Sequence, residues 1–304
     1  MTRVRVMVLI LGLVVLALGT VALIAGGLSG ERVLEEIERS FVLEPGQQIS
    51  VLSRNGRLTY EAWDGNEVVV RARKETLLSL FPSLAQWIGR RVEVVIEQDQ
   101  RGVKAAQGPY MGWLFMGNTA VHFHVQVPRG WEGDIVLRTS NGRIQASDLH
   151  GRAELRTSNG PIIAGNATGR LIAKTSNGRI ELKDVHGVVE AETSNGAIDV
   201  EGGTLAQSGR LSTSNGPVLL SARLERGSSY QVRTSNGRVT LALIEPDVEV
   251  DLRTSNGRIE LATEILAHEV GQNYLSGRVG EGSARLSVRT SNGDISLASV
   301  GGSK

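Results

Sequence analysis

The tetrapeptide Thr-Ser-Asn-Gly occurs eight times in the second half of the 304-residue chain, beginning at Thr139, Thr157, Thr175, Thr193, Thr213, Thr234, Thr254 and Thr290. Successive copies are separated by 18, 18, 18, 20, 21, 20 and 36 residues. A period this short restricts the chain to stacking like units along one axis, because no unit can bury its own apolar face alone. Helical repeats need about 33 to 47 residues and propeller blades about 40 to 50, so about 18 to 21 residues of strand and turn corresponds to one circuit of a β-solenoid. The last, double step contains Ser276-Gly277-Arg278-Val279, which reads as a decayed copy and brings the expected number of units to about nine.

Between copies the sequence alternates over short runs, as in Ala153-Glu-Leu-Arg156 and Arg179-Ile-Glu-Leu182, and turns at a second corner such as Asp184-Val-His-Gly187. That is strand chemistry, with no room for a long helix. Asn-Gly also builds type I′ hairpin turns, which would pair sequence neighbours antiparallel. The even spacing favours the alternative, parallel pairing one coil away, with identical residues stacked about 4.8 Å apart. Ile144, Ile162, Ile180, Ile198, Val218, Val239, Ile259 and Ile295 then form one core row, and Leu137, Leu155, Leu211, Val232, Leu252 and Val288 a second.

Strand alternation carried to the corner points the threonine inward and the serine outward. The corner pairs Asn141-Gly142, Asn159-Gly160, Asn177-Gly178, Asn195-Gly196, Asn215-Gly216, Asn236-Gly237, Asn256-Gly257 and Asn292-Gly293 are expected to make the bend. Asparagine suits it because its amide bonds local backbone and it tolerates positive φ; glycine suits it because it lacks Cβ. These pairs are therefore read as structural.

From Val6 to Leu28 the chain carries no charge, long enough for a bilayer-spanning helix of about 20 residues. A signal peptide has an apolar core of about 7 to 15 residues, so an uncleaved anchor fits better. Arg3 and Arg5 precede the segment and an acidic stretch follows, which orients a short tail to the cytoplasm and the rest outside it. The expected protein is thus single-pass in the cell membrane, with residues 1–30 as tail and anchor and a short linker helix over 31–40. The absence of cysteine removes disulfides, thiol catalysis and lipoprotein anchoring. A net charge of +1 gives no global field for nucleic acid.

Residues 41–130 are expected to form a small mixed cap before the solenoid of 131–300. Ile49 to Tyr60 alternates around Asn55-Gly56 like a diverged coil, and strands are expected over Glu67–Arg73, Arg91–Glu97 and Ala120–Val127. The apolar insert at 76–89 reads as an interrupted helix, with an aromatic stretch from Tyr110 to Met116. Three features together, Phe41-x-Leu-x-Pro-Gly46, Trp63-Asp-Gly-x-Glu-Val-Val-Val70 and Val125-x-Val-Pro-x-Gly130, followed by tandem Thr-Ser-Asn-Gly-x-Ile, resemble the bacterial putative adhesin family with the DUF4097 domain. The resemblance covers roughly residues 41–298 and implies an all-β solenoid on the cell envelope. It brings no catalytic residues.

Carbohydrate-active β-helices need carboxylates converging in a cleft, and none stands out. Asp148-Leu-His150 and Asp184-Val-His186 fall on equivalent corners two coils apart, too far for a shared metal and separated by Asn166-Ala-Thr168, which also matches a glycosylation sequon. His122 and His124 share a strand face but lack a third ligand. The reading is non-enzymatic, with no cofactor. Basic residues recur before the threonine (Arg138, Arg156, Lys174, Arg233, Arg253, Arg289) and after the glycine (Arg143, Arg179, Arg238, Arg258). Stacked, they make stripes either neutralised by neighbouring glutamates or free for an anionic envelope polymer. An adhesin-like binding or scaffold rod, or a sensory envelope protein contacting a membrane partner through its cap, are the functions in view. The open solenoid ends also offer self-association.

Overall fold

The structure is a computed structural model that describes residues 32–76, 92–108 and 119–301. The expected anchor, most of the apolar insert and the aromatic stretch lie outside these residues. Among the described residues every regular element is a strand, and no helix is long and apolar enough to cross a membrane.

The repeat region supplies β8 (Gly133–Arg138), β9 (Ile144–Arg156), β10 (Ile162–Lys174), β11 (Ile180–Glu192), β12 (Ile198–Leu205), β13 (Ser208–Ser212), β14 (Val218–Leu224), β15 (Ser229–Arg233) and β16 (Val239–Ile244). Each Thr-Ser-Asn-Gly corner separates an entry strand from an exit strand. These strands pair in parallel with the next coil, as when Ile144 faces Ile162, Ile162 faces Ile180, and Ile180 faces Ile198. Like residues therefore lie over one another, and no antiparallel pairing crosses these corners. Both expected core rows are buried, apart from a half-buried Ile259 at the far end. The second corner falls inside the long strands β9, β10 and β11, where Asp148, Asn166 and Asp184 take positive φ of 58°, 49° and 50°.

The level order departs from the sequence order at both ends. Before the repeats run β1 (Arg32–Phe41), β2 (Gln48–Leu52), β3 (Leu58–Trp63), β4 (Val68–Thr76), β5 (Val94–Asp99), β6 (Gly102–Gln107) and β7 (Thr119–Pro128). The coil of β2 and β3 lies between the level of β6 and β7 on one side and that of β8 and β9 on the other. The described residues of 41–130 contribute two levels of the same stack, closed by β5 antiparallel to β6 and by β4 antiparallel to β7, so they are continuous with the solenoid. The expected linker helix at 31–40 is instead β1, antiparallel to β4. Its glutamates are surface groups of a strand, with Glu38 bonded to Arg71 and Glu35 to Lys74, while Ile37 packs on the core.

The chain closes with β17 (Val248–Arg253), β18 (Ile259–Ala262), β19 (Leu266–Val270), β20 (Tyr274–Val279), β21 (Ala284–Arg289) and β22 (Ile295–Val300). The last coil, β21 and β22, is inserted between the level of β15 and β16 and that of β17 and β18. Ser276 to Val279 is not a decayed coil. It belongs to β20, which runs antiparallel to β17 and carries β19 on its other side, so that the entry face is covered at its end. Asn273 completes the cover, its amide donating to the Ser255 carbonyl at 2.9 Å and its own carbonyl accepting from Thr254 at 3.0 Å. On the exit face β18, paired only with β22, is the last strand among the described residues.

Candidate functional site

Every Thr-Ser-Asn-Gly corner is bound to the one below it by the same two side-chain contacts, and six of the eight share a third through the backbone. The asparagine Nδ2 donates to the Oδ1 of the asparagine one level down, at 2.6 to 2.8 Å, from Asn141 on Asn55 through Asn159, Asn177, Asn195, Asn215, Asn236 and Asn292 to Asn256. The buried threonine hydroxyl donates to the glycine carbonyl below, as from Thr193 to Gly178 at 3.0 Å and from Thr254 to Gly293 at 2.9 Å. At six corners the serine and asparagine amides both donate to one serine carbonyl, as Ser176 and Asn177 do to Ser158, whereas Ser140 and Asn141 donate to the Arg54 carbonyl and Asn256 donates to Ser291. None of these asparagines or corner glycines takes positive φ. Glycine is required because the corners touch: a Cβ on Gly142, Gly160, Gly178, Gly196, Gly216, Gly237, Gly257 or Gly293 would lie 1.7 to 2.0 Å from the carbonyl oxygen of the level below. The amide works between coils, not on its local backbone.

The row before the threonine reads, in stack order, Arg138, Arg156, Lys174, Glu192, Ser212, Arg233, Arg289, Arg253 and Tyr274. Its first part is neutralised. Arg138 and Arg156 share Glu154, and Lys174 bonds Glu192 at 2.7 Å. Partial burial pushes the Glu154 carboxyl up, but the two guanidinium groups outweigh it and hold the group below the ordinary carboxylate range. Beyond the break at Glu192 and Ser212 three arginines stand on adjacent strands. Arg253 has Asp251 at 2.9 Å. No ion pair or side-chain hydrogen bond engages the guanidinium groups of Arg233 and Arg289 among the described residues.

The row after the glycine behaves differently. Arg179 bonds Asp199 at 2.6 Å, Arg143 has no acid partner among the described residues, and Asp294 falls between Arg238 and Arg258 because the last coil is inserted there. Asp294 accepts from the Arg258 amide at 3.0 Å and from Arg238 at 3.4 Å. The backbone donor first, and the two guanidinium charges with it, hold its carboxyl below the usual range. Insertion thus places an acid between two cations of one row and a third arginine between two others of the second row at the same levels.

His122 and His124 both point outward from β7, but each has its own carboxylate. His124 meets Glu61 at 2.9 Å, and His122 meets Glu75 at 3.2 Å while its Nδ1 accepts from the Arg57 amide at 2.9 Å. Arg73 also bonds Glu75 at 2.7 Å, leaving the cluster internally paired. His150 and His186 lie one level either side of Thr168, and Asn166 donates to Asp148. Among the described residues no three His, Cys, Asp or Glu side chains are placed to hold a metal ion.

A family model described as Toastrack DUF4097 matches residues 89–298, more than two thirds of the chain. The chain belongs to the Toastrack DUF4097 family. No curated protein matches it. Among solved structures it is similar to a putative adhesin from Bacteroides fragilis at 9% identity and TM-score 0.36, covering 88% of this chain and 97% of that one. It is also similar to a putative lipid binding protein from Parabacteroides distasonis at 11% identity and TM-score 0.40, covering 86% and 97%. A putative cell adhesion protein from Clostridium sporogenes has 11% identity and TM-score 0.22, covering 88% of this chain and all of the other.

One residue of this Toastrack chain that repeat reasoning passes over is Tyr230. It replaces an aliphatic core position, and its hydroxyl accepts from the Val189 amide at 3.2 Å while lying 3.2 and 3.1 Å from the Gly187 and Ala206 carbonyls. Its ring occupies the space a Cβ at Gly209 would take. Burial pushes the phenol up to about 12. Tyr230→Phe would leave the Val189 amide unpaired and should lower unfolding free energy by about 1 to 3 kcal/mol in urea titration; an unchanged midpoint would show that water replaces the hydroxyl.

Proposed function

We propose that this chain is a non-enzymatic, membrane-tethered rod of the cell envelope, adhesin-like, that binds an anionic envelope polymer through the basic row of its entry face. The uncharged segment from Val6 to Leu28 supports the tether, and the family supports the rod. The observation that carries the binding role is the run Arg233, Arg289, Arg253. Three guanidinium groups in register, about 4.8 Å apart per strand, repel one another. Within the same levels Asp294 relieves that repulsion in the other row, and here, among the described residues, Asp251 alone does so. A row left charged in a fold that neutralises its neighbours is suited to an anion supplied from outside.

The test uses the full chain in a neutral detergent on immobilised dextran sulfate. Retention should fall as salt rises, and the double variant Arg233→Glu, Arg289→Glu should weaken it by about tenfold or more. Arg156→Glu should matter much less, since Arg156 already has Glu154. Equal retention of the Arg233, Arg289 variant and the unaltered chain would defeat the binding role. Membranes washed with alkaline carbonate should keep the chain in the pellet; its release would defeat the tether.

A further inference from the structure

The groove above the charged run holds features that a row of cations does not need. It encloses about 630 Å³ and is bordered by Arg233, Arg289, Arg253 and Tyr274. These four side chains form one row, since Arg233 faces Arg289, Arg289 faces Arg253, and Arg253 faces Tyr274 on neighbouring strands. Three guanidinium groups are thus followed at the next strand by a phenol ring. Tyr274 is 40% exposed, and its ring is seated on Gly271, where a Cβ would come within 2.1 Å of it. The Gly271 amide donates to the Tyr274 carbonyl at 2.9 Å and closes the turn beneath it. A ring fixed this way offers an apolar surface with little rotamer freedom left to lose on binding.

Alongside runs a second row, the exposed serines Ser214, Ser235, Ser291 and Ser255 of successive corners, which also line the groove. Their hydroxyls have no hydrogen-bond partner among the described residues. A bare phosphate chain would use the arginines and could accept from the serine hydroxyls, but it has no apolar face to lay on Tyr274. A sugar chain bearing acid groups would use all three features: carboxylates on the guanidinium forks, ring hydroxyls on the serine column, and the C–H face of one pyranose on Tyr274. The geometry points to a carboxylated polysaccharide, a glycan of uronate type, as the occupant of this groove. This rests on the anionic-polymer reading above and narrows it to one class of polymer.

The experiment titrates hexagalacturonate and, separately, tripolyphosphate into the full chain in neutral detergent, read by calorimetry. Arg289→Ala should weaken both by about tenfold or more, because both lose a charge-assisted contact. Tyr274→Ala should weaken hexagalacturonate by roughly fivefold and leave tripolyphosphate within about twofold, and Tyr274→Phe should retain the hexagalacturonate affinity. Binding of tripolyphosphate without hexagalacturonate, or an equal response of both to Tyr274→Ala, would overturn the glycan assignment while leaving the basic row as an anion site. Failure of both probes to bind the unaltered chain would overturn the two together. The folded state of each variant is checked by its thermal transition, and Tyr274→Phe, which keeps the ring on Gly271, guards against loss of the turn.

Discussion

Gly178→Ala should be among the most damaging single-methyl changes this chain can suffer, lowering unfolding free energy by more than about 4 kcal/mol. The added Cβ would sit 1.8 Å from the Gly160 carbonyl oxygen, a main-chain atom that cannot swing aside as a side chain could. Relieving the overlap means parting the two levels, and the whole corner goes with them. Thr175 Oγ1 would leave the Gly160 carbonyl now at 3.1 Å, and Asn177 Nδ2 would leave Asn159 now at 2.7 Å. Gly165→Ala is the control, since only the Lys183 carbonyl lies within reach of its Cβ, at 3.8 Å, and its φ is not positive. A glycine inside a strand adds backbone freedom without packing, so that change should be neutral within about 1 kcal/mol or mildly stabilising. Equal urea midpoints for the two variants would contradict the close approach at the corner.

The period of the repeat carries the parallel register, the two core rows and the inward threonine, because all follow from like residues stacking and from strand alternation. It does not carry the reason for the glycine. A positive φ and a carbonyl pressed against Cα both demand a missing Cβ, and only the placement of Gly160 against Gly178 distinguishes them. Nor does it carry the level order. Coils that are nearly identical can exchange places in a stack without changing any core row, so the position of the last coil depends on the residues that differ. Asp294 is such a residue: it stands where four other coils have arginine, and it belongs between two of them. The step of 36 residues was the other trace, since a chain that returns over one level needs the length of β19 and β20 to do so. The candidate site was half legible. The basic row is periodic and visible in the sequence, whereas its neutralisation by Glu154 and Glu192, and its continuation into Tyr274, depend on which strands become neighbours. For β1 the strand signal, Ile37 set between outward Glu36 and Glu38, is too short to tell a strand from the expected linker helix.

Ile295→Asp should separate an inserted last coil from one merely added at the end. Ile295 is fully buried in β22, facing Val239 on one side and Ile259 on the other. A carboxylate there has no partner, and the desolvation it would suffer exceeds about 4 kcal/mol, enough to expel the coil. In a stack whose levels follow the sequence, stability is a sum over neighbours and damage to the final coil frays only that coil. Here the level of β17 and β18 rests on the inserted one. Thr254 donates to Gly293, Asn256 to Asn292 and to Ser291, and Arg258 to Asp294. Expulsion would take these contacts together, so hydrogen exchange should accelerate over residues 248–262 as much as over 284–300. Residues 144–192, three to six levels away, keep both neighbours and should retain their protection. Fast exchange confined to 284–300, with 248–262 as slow as in the unaltered chain, would mean that the last coil sits at the end of the stack and that Asp294 is not held between Arg238 and Arg258. The same measurement reaches the groove, since Arg289 belongs to the inserted coil: a chain that expels it keeps Arg233 and Arg253 but loses the central guanidinium, and should lose retention on the polyanion at the same time.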